Sequence, residues 1–574
     1  MRLPDSERVR RVALSFLAHG VVAALVAAPV AAERAVQGVR FHDRLGTLPV
    51  EISLAHNGYS TLDTGILGRI YWEQTGAAGF GANVRATGPP EAGGSLASYI
   101  SPRFIEANAQ FISDPGEVAK AYGDEMRARL LTRFWQIELA VFILGGGVLV
   151  ALFRGGNPLA SVPRGRRRVA VGSAVVVAGM VSSSLVAYQM FRSWEGDTDI
   201  ETSYPMRDIE GLSFSNPEAL EIAEQVQPFI VKNTDRINKS ADAFARAAVR
   251  SFERVLPGRT DEIAPREGET VVIAEADPQG SRVGTRVRAD IYPLLLEALG
   301  EDNVTMRTIS GDISSNGTVA EAGFVRDEAR AAGEVPLVAV KGDHDTDATV
   351  GQLHDSGVTV PDFEITDVGE LRAVVGNDPA FKTLFGGMVI NNSGITETEL
   401  GENLREKVDE EDPDDPLVVL FHQPRAAAGY IGVRSTSELD KENTHRRTPW
   451  DDGIPDLPPG IINVGHLHDV DGPWVVWNTD GDEVTWTVVS QLGTSGGVEE
   501  NPTFNRFSTP FSTPLKKMDI QLQYVNEDTG LQTGYVEISI ATDGTVTIGD
   551  RVDVGLPGGE PVPVDELELP VTRD

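Results

Sequence analysis

Three stretches of this chain are apolar over the length of a membrane crossing: Val12 to Ala32, roughly Phe134 to Phe153, and Val169 to Phe191. A helix of about 20 such residues spans a hydrocarbon layer, so each predicts a transmembrane helix. Between the first two, Leu48 to Leu54 alternates apolar and polar positions and is followed by many Gly and Pro, which predicts a small, partly β domain. After the third, Asn216-Pro217-Glu218 has the order of a helix start: a capping side chain, a proline in the first turn and an acid favoured by the helix dipole. Pro228 is expected to break or kink that helix, with a second helical stretch from Phe229 to Val255. From residue 269 the texture becomes short apolar runs, glycine-rich turns and helical stretches, the patterning of an α/β domain. Near the C-terminus an Asp543-Gly544 turn between EISIA and TVTIG predicts a hairpin. The expected organisation is an N-terminal helix or signal anchor (1–33), a partly β domain (34–133), a helix pair (134–191), an acidic linker and helical stalk (192–268), the α/β domain (269–500) and a β extension (501–574).

Charge adds orientation. The loop Arg154 to Arg168 carries five arginines and no acid, which by the positive-inside rule makes it cytoplasmic. Counting crossings then puts residues 33–133, and everything after about residue 192, outside the cell membrane of a multi-pass protein. Val30-Ala31-Ala32 also fits a signal-peptide cleavage site; cleavage would leave the later topology unchanged. The spans show no polar pairing of the kind a transport pathway needs, so they read as an anchor. A net charge of −35 opposes binding to nucleic acid or to an anionic surface. With no cysteine, thiolate nucleophiles and Cys-based metal sites are excluded, leaving His, Asp, Glu, Asn and Gln as ligands.

Such ligands gather where apolar runs end. Val271 to Ala274 leads to Asp277-Pro278-Gln279-Gly280, Val304 to Ile309 to Gly311-Asp312, and Leu337 to Val340 to Gly342-Asp343-His344-Asp345. Leu417 to Phe421 leads to His422-Gln423-Pro424, and Ile461 to Val464 to Gly465-His466-Leu467-His468-Asp469. Residues just past strand ends collect at one edge of an α/β sheet, so five such ends would assemble oxygen and imidazole ligands from distant positions. Four of the nine histidines fall there; His19, His42, His56, His354 and His445 follow no such pattern and read as ordinary residues. Asp63-Thr64-Gly65 resembles an aspartic-protease signature, but that motif needs two copies or a symmetric dimer and usually a small residue next, where Ile66 stands, so it reads better as a turn closing two strands.

The ordered series Asp277-Pro-Gln, Gly311-Asp312, Gly342-Asp343-His344-Asp345, His422 and Gly465-His466-Leu-His468 resembles the calcineurin-like metallophosphoesterase superfamily over about residues 269–500. The resemblance implies a four-layer α/β/β/α sandwich and two divalent metal ions (Mn, Fe or Zn) bridged by Asp312. One ion would take Asp277, Gln279, Asp312 and His468, the other Asp312, Asp343, His422 and His466. His344 would face the phosphate, with Asp345 orienting its ring. Two positions depart from the family's usual pattern: Gln279 stands where histidine is commonest, and Asp343 replaces asparagine. The implied activity is hydrolysis of phosphate mono- or diesters by a hydroxide that two metals activate. The alternative is a weakly active or inactive metal-binding module of the cell envelope. The loop Gly493-Thr494-Ser495-Gly496-Gly497 reads either as a substrate contact or as a tight turn.

Overall fold

The computed structural model describes residues 6–566 except 46–47, 57, 66–67, 74–79, 89–114, 154–165, 194–202, 208–209, 383–388, 412–414, 440–456, 480 and 500–512. The expectations for most of the basic loop, for His445 and for the start of the acidic linker lie outside the described residues. The chain divides into two compact units. One comprises residues 1–43, 48–89 and 122–227, the other 44–47, 90–121 and 228–574.

Three helices contain segments long and apolar enough to cross a membrane, all in the first unit except residues 116–121 of the second: Val12–Gly38, Gly116–Leu152 and Val169–Ser193. They carry exposed apolar side chains, including Leu14, Trp135, Leu144 and Val169, a surface that fits membrane association. The second helix starts at Pro115, well before the expected Phe134. Its first turns are polar and escape a hydropathy criterion, yet they open with Pro115 and Glu117, a proline and an acid suited to a helix N-terminus. A seven-stranded sheet accompanies the helices. The strand Leu48–Ala55 largely alternates buried and half-buried positions as its sequence predicts. Strands Tyr59–Asp63 and Arg69–Glu73 pair antiparallel, so Asp63-Thr64-Gly65 does lie at a strand-connecting turn, where Thr64 bonds Gly68 and the Gly65 amide donates to the Asp63 carboxylate.

Asn216 caps the next helix as expected, its side-chain oxygen accepting from the Ala219 amide at 2.7 Å. Pro228 does not end that helix: Pro217–Val255 is one element where two were expected. A proline inside a helix forfeits one backbone hydrogen bond, at a cost of about 3 kcal/mol. Burial of Phe244, Ala248 and Phe252 farther along the same helix favours its continuation.

The second unit is mixed α/β. One sheet runs in the order Leu337–Ala339, Val304–Ile309, Glu269–Glu275, Met518–Asn526, Gln532–Ile540, Val546–Ile548, with Val552–Asp553 paired to Gln532–Ile540. Its first three strands are parallel and the rest antiparallel. The other sheet runs Thr366–Val368, Leu371–Gly376, Leu417–Phe421, Gly460–Val464, Glu483–Gln491, Asp471–Asn478, with parallel pairing through its four central strands. The C-terminal segment is therefore built into the same sheet as Glu269–Glu275, and the Asp543-Gly544 hairpin forms with Gly544 at φ 84°.

Alternation on the strands sorts the core. Val271 and Ile273 pack among residues of the helices Pro217–Val255 and Arg282–Leu299. Val272, between them in sequence, joins Met306 and Ile309 in a cluster with Val375, Val418, Leu420 and Ile461 of the other sheet. Val374, Val419, Ile462 and Val464 pack instead with Leu400, Leu404 and Tyr430 of two further helices. Each such side chain contributes about 1.5–3 kcal/mol on full burial.

A buried charge network lies within this unit. Arg288 pairs with Glu275 and Glu328, and Arg307 with the same two acids, all four side chains at most 1% exposed. Burial works to raise Glu328, but Arg288 and Arg307 outweigh it and hold it at about 2. Its contribution is thus fully present above the unfolded value near 4.5 and is lost as pH falls through about 2. Glu328→Gln should cost about 3–5 kcal/mol near neutral pH, because both arginines then keep only one carboxylate. Unfolding followed by tryptophan fluorescence should show the gap between wild type and variant narrowing as pH falls from about 4.5. A gap independent of pH would assign the loss to packing.

Candidate metal centre

All five ligand-bearing strand ends predicted from the sequence are present: the strands are Glu269–Glu275, Val304–Ile309, Leu337–Ala339, Leu417–Phe421 and Gly460–Val464. Among the described residues six non-glycine residues have positive φ, and five belong to the candidate site: Asp277 (51°), Gln279 (41°), Asp312 (51°), His466 (72°) and His468 (57°). Left-handed backbone costs such residues about 1–3 kcal/mol each and tends to collect where function requires it. Backbone approach is equally tight. A Cβ on Gly311 would lie 2.5 Å from His422 Nδ1, and one on Gly342 would lie 2.2 Å from the Asp312 carboxylate. Only glycine fits either place.

Two groups of ligand atoms result. Asp312, Asp343, His422 and His466 each bring one atom within 4.8 Å of the others, and so do Asp277, Asp312 and His468. Asp312 belongs to both. His422 Nε2 lies 3.3 Å from Asp312 Oδ1 and 3.5 Å from Asp343 Oδ1, while His468 Nε2 lies 3.7 Å from Asp277 Oδ1. Three imidazoles are aimed by backbone carbonyls: His422 Nδ1 by Ser310 at 3.1 Å, His344 Nδ1 by Ser315 at 3.1 Å and His468 Nδ1 by Val498 at 2.6 Å. A carbonyl only accepts, so each Nδ1 carries a proton and each Nε2 faces the site.

The electrostatics are those of crowded carboxylates. Burial pushes Asp277 well above the usual carboxylate value. Burial also acts on Asp312, but the charges of His422, His344 and Lys382 prevail and hold it well below. Burial lowers His422, yet Asp312 and Asp343 outweigh that and raise it well above 6.5. Burial, with repulsion from His422, takes His466 down to about 3, and burial takes His468 to about 4. Both are therefore neutral, whereas His422 must release a proton before it can take a metal ion.

Among the described residues, Gln279 Oε1, Asp343 Oδ1, His344 Nε2 and His468 Nε2 are buried with no hydrogen-bond partner. Leaving such atoms unsatisfied costs about 1–3 kcal/mol each, and a cation would satisfy the oxygen and imidazole lone pairs. The residues present thus fit a metal ion bound through carboxylate, amide and imidazole donors. Gln279 serves twice: its amide nitrogen donates to Asp312 Oδ2 at 2.9 Å, and its carbonyl oxygen stays available.

One expectation is corrected. Asp345 does not orient the His344 ring. Its carboxylate takes the amides of Ile313, Ser314 and Gly342 and the Ser314 hydroxyl, fastening the Asp312 loop to the Asp343 loop. The Gly493–Gly497 loop is a buttress: Thr494 Oγ1 donates to the Asp277 carbonyl at 2.7 Å, and the Ser495 amide donates to the Ala276 carbonyl at 2.7 Å.

Sequence reasoning missed a sixth strand end. Leu371–Gly376 leads to Asn377-Asp378-Pro379 and on to Lys382, whose ammonium lies 3.1 Å from Asp343 Oδ2. Burial pushes Asp378 up to about 7. The signal was an apolar run ending in Gly-Asn-Asp-Pro, the same texture as the other five without a histidine.

No protein-family model matches the chain, and no curated protein matches it. Among solved structures, the crystal structure of TT1561 of Thermus thermophilus aligns at 11% identity, covering 49% of this chain and 98% of its own, with a TM-score of 0.26. A second solved structure aligns at 13% identity, covering 49% and 99%, with a TM-score of 0.25. Superpositions at that level carry no argument about fold or chemistry.

Proposed function

We propose that this chain is a membrane-anchored, metal-dependent phosphoesterase of the calcineurin-like superfamily, with its α/β domain outside the membrane. The observation that carries the reading is the sharing of buried Asp312 between two ligand groups, the arrangement that a two-metal hydrolase requires. The two mixed sheets with a common core and helices on their far faces support the superfamily's four-layer sandwich. The five matched strand ends support the motif assignment.

Two divalent ions, when bound, would supply Lewis-acid activation of water and neutralise phosphate charge. Asp277, Gln279, Asp312 and His468 would hold one, and Asp312, Asp343, His422 and His466 the other. The chain's own work is positional. The His344 amide donates to Asp312 Oδ1 at 2.8 Å, which fixes the shared carboxylate. Ser315 holds the His344 ring so that Nε2 can carry the proton delivered to the leaving oxygen. Burial of the set excludes bulk water and strengthens each electrostatic contact.

The test uses the full-length chain in detergent. Bound metal is counted, and hydrolysis of generic phosphate mono- and diesters is followed with added manganese, iron or zinc. About two metals per chain with ester turnover supports the enzyme. Bound metal without turnover on any ester replaces it with a metal-binding envelope module, and a folded protein that takes up no metal refutes both.

A further inference from the structure

Lys382 belongs to no metal motif, yet its placement is specific. The segment leading to it is fastened to the loop that carries Asp343: the Lys341 amide donates to the Asn377 side chain at 2.8 Å, the Asp378 amide to the Lys341 carbonyl at 2.9 Å and the Lys382 amide to the Asp343 carbonyl at 2.6 Å. From that anchored start the ammonium reaches Asp343 Oδ2 at 3.1 Å, with Gln423 Nε2 at 3.3 Å from the same oxygen. Asp343 is thereby divided. Oδ2 is engaged by the chain itself, while Oδ1 is buried without a hydrogen-bond partner and faces His422. The other group is built differently, since the described ion-pair partners of Asp277 are the imidazoles of His422 and His468.

We propose that Lys382 is a tethered counter-ion for Asp343 that holds the place of the second cation, so that the Asp277/Asp312/His468 group fills first and the Asp312/Asp343/His422/His466 group second and more weakly. The inference rests on the two-metal reading of the site. An ammonium and a divalent ion drawn to one carboxylate repel each other, so the second ion binds against Lys382, and the lysine confines metal contact to Oδ1. In the metal-free protein the same ammonium adds to His422, 3.5 Å from Oδ1, in compensating the buried Asp343 charge. Residue 382 thus trades metal affinity for stability of the empty site.

The experiment is calorimetric titration of manganese into the chelator-stripped full-length protein, together with its metal-free melting temperature. Wild type should show two steps, the second about tenfold or more weaker than the first. Lys382→Met should tighten the second step by about tenfold, leave the first within about threefold and lower the metal-free melting temperature. Lys382→Arg should behave as wild type. Two equal steps in wild type, or a second step that is unchanged or weaker in Lys382→Met, overturns the proposal and leaves the two-metal reading standing. A folded wild type that binds no manganese overturns both. Because unequal steps are predicted for wild type itself, equal steps there overturn the proposal even if Lys382→Met fails to fold.

Discussion

Asp312→Ala is expected to empty both metal positions at once, taking bound metal from about two per chain to near zero and turnover down by at least about 10³-fold. Among the described residues, no other ligand in the centre is shared between the two groups, and no other carboxylate there receives both the His344 amide and the Gln279 side chain. Losing it removes a ligand from each group. It also leaves Gln279 Nε2 and the His344 amide without their acceptor and His422 Nε2 without its nearer carboxylate, 3.3 Å away. Asp312→Asn separates charge from shape, since the amide keeps an acceptor but not the negative charge, and it too should lose metal. Asp343→Ala is the contrasting case: a ligand of one group only, it should cost about one ion per chain and leave the other. Elemental analysis of purified protein reads all three, with circular dichroism confirming that each is folded. A full metal complement in folded Asp312→Ala would remove the bridging role.

Strand ends were legible in the sequence because a short apolar run followed by glycine and a ligand is a local pattern. All five strands occupy the predicted positions within one residue or two at each end. Other features depended on what lies across space. Asp345 follows His344 directly, and the family resemblance implied a pairing that the backbone turns aside, sending the carboxylate to the amides of Ile313 and Ser314, far back in the chain, as well as to the nearby Gly342. Lys382 was invisible for a related reason: a lone lysine after an ordinary strand acquires meaning only from the 3.1 Å to Asp343. The Glu275–Arg288–Arg307–Glu328 network was equally hidden, because four charged residues in four separate elements give no periodic signal. Pro228 is the opposite case: of the expected break or kink, the break does not occur, within a helix whose later turns are buried.

His344→Ala should separate catalysis from assembly. Metal content should stay near two per chain, because the ring lies outside both ligand groups, while turnover falls by about 10²–10⁴-fold, the range for loss of a positioned proton donor. The ring is held through Nδ1 by the Ser315 carbonyl, and Nε2 is buried, unpartnered and 3.8 Å from both Asp312 Oδ2 and Asp343 Oδ1. On the two-metal reading, that geometry reserves Nε2 for a ligand beside Asp312 and Asp343. Leaving-group dependence distinguishes its two possible tasks. If Nε2 supplies the proton to the departing oxygen, the alanine variant should be most impaired on alkyl phosphates, whose leaving oxygen needs protonation, and least on nitrophenyl esters, whose leaving group departs as the anion. If the ring only stabilises charge on the phosphoryl oxygens, the loss should be uniform across the series. A proton-donor role predicts a steeper dependence of turnover on leaving-group basicity in the variant than in wild type, and loss of metal in folded His344→Ala would instead make the residue a ligand.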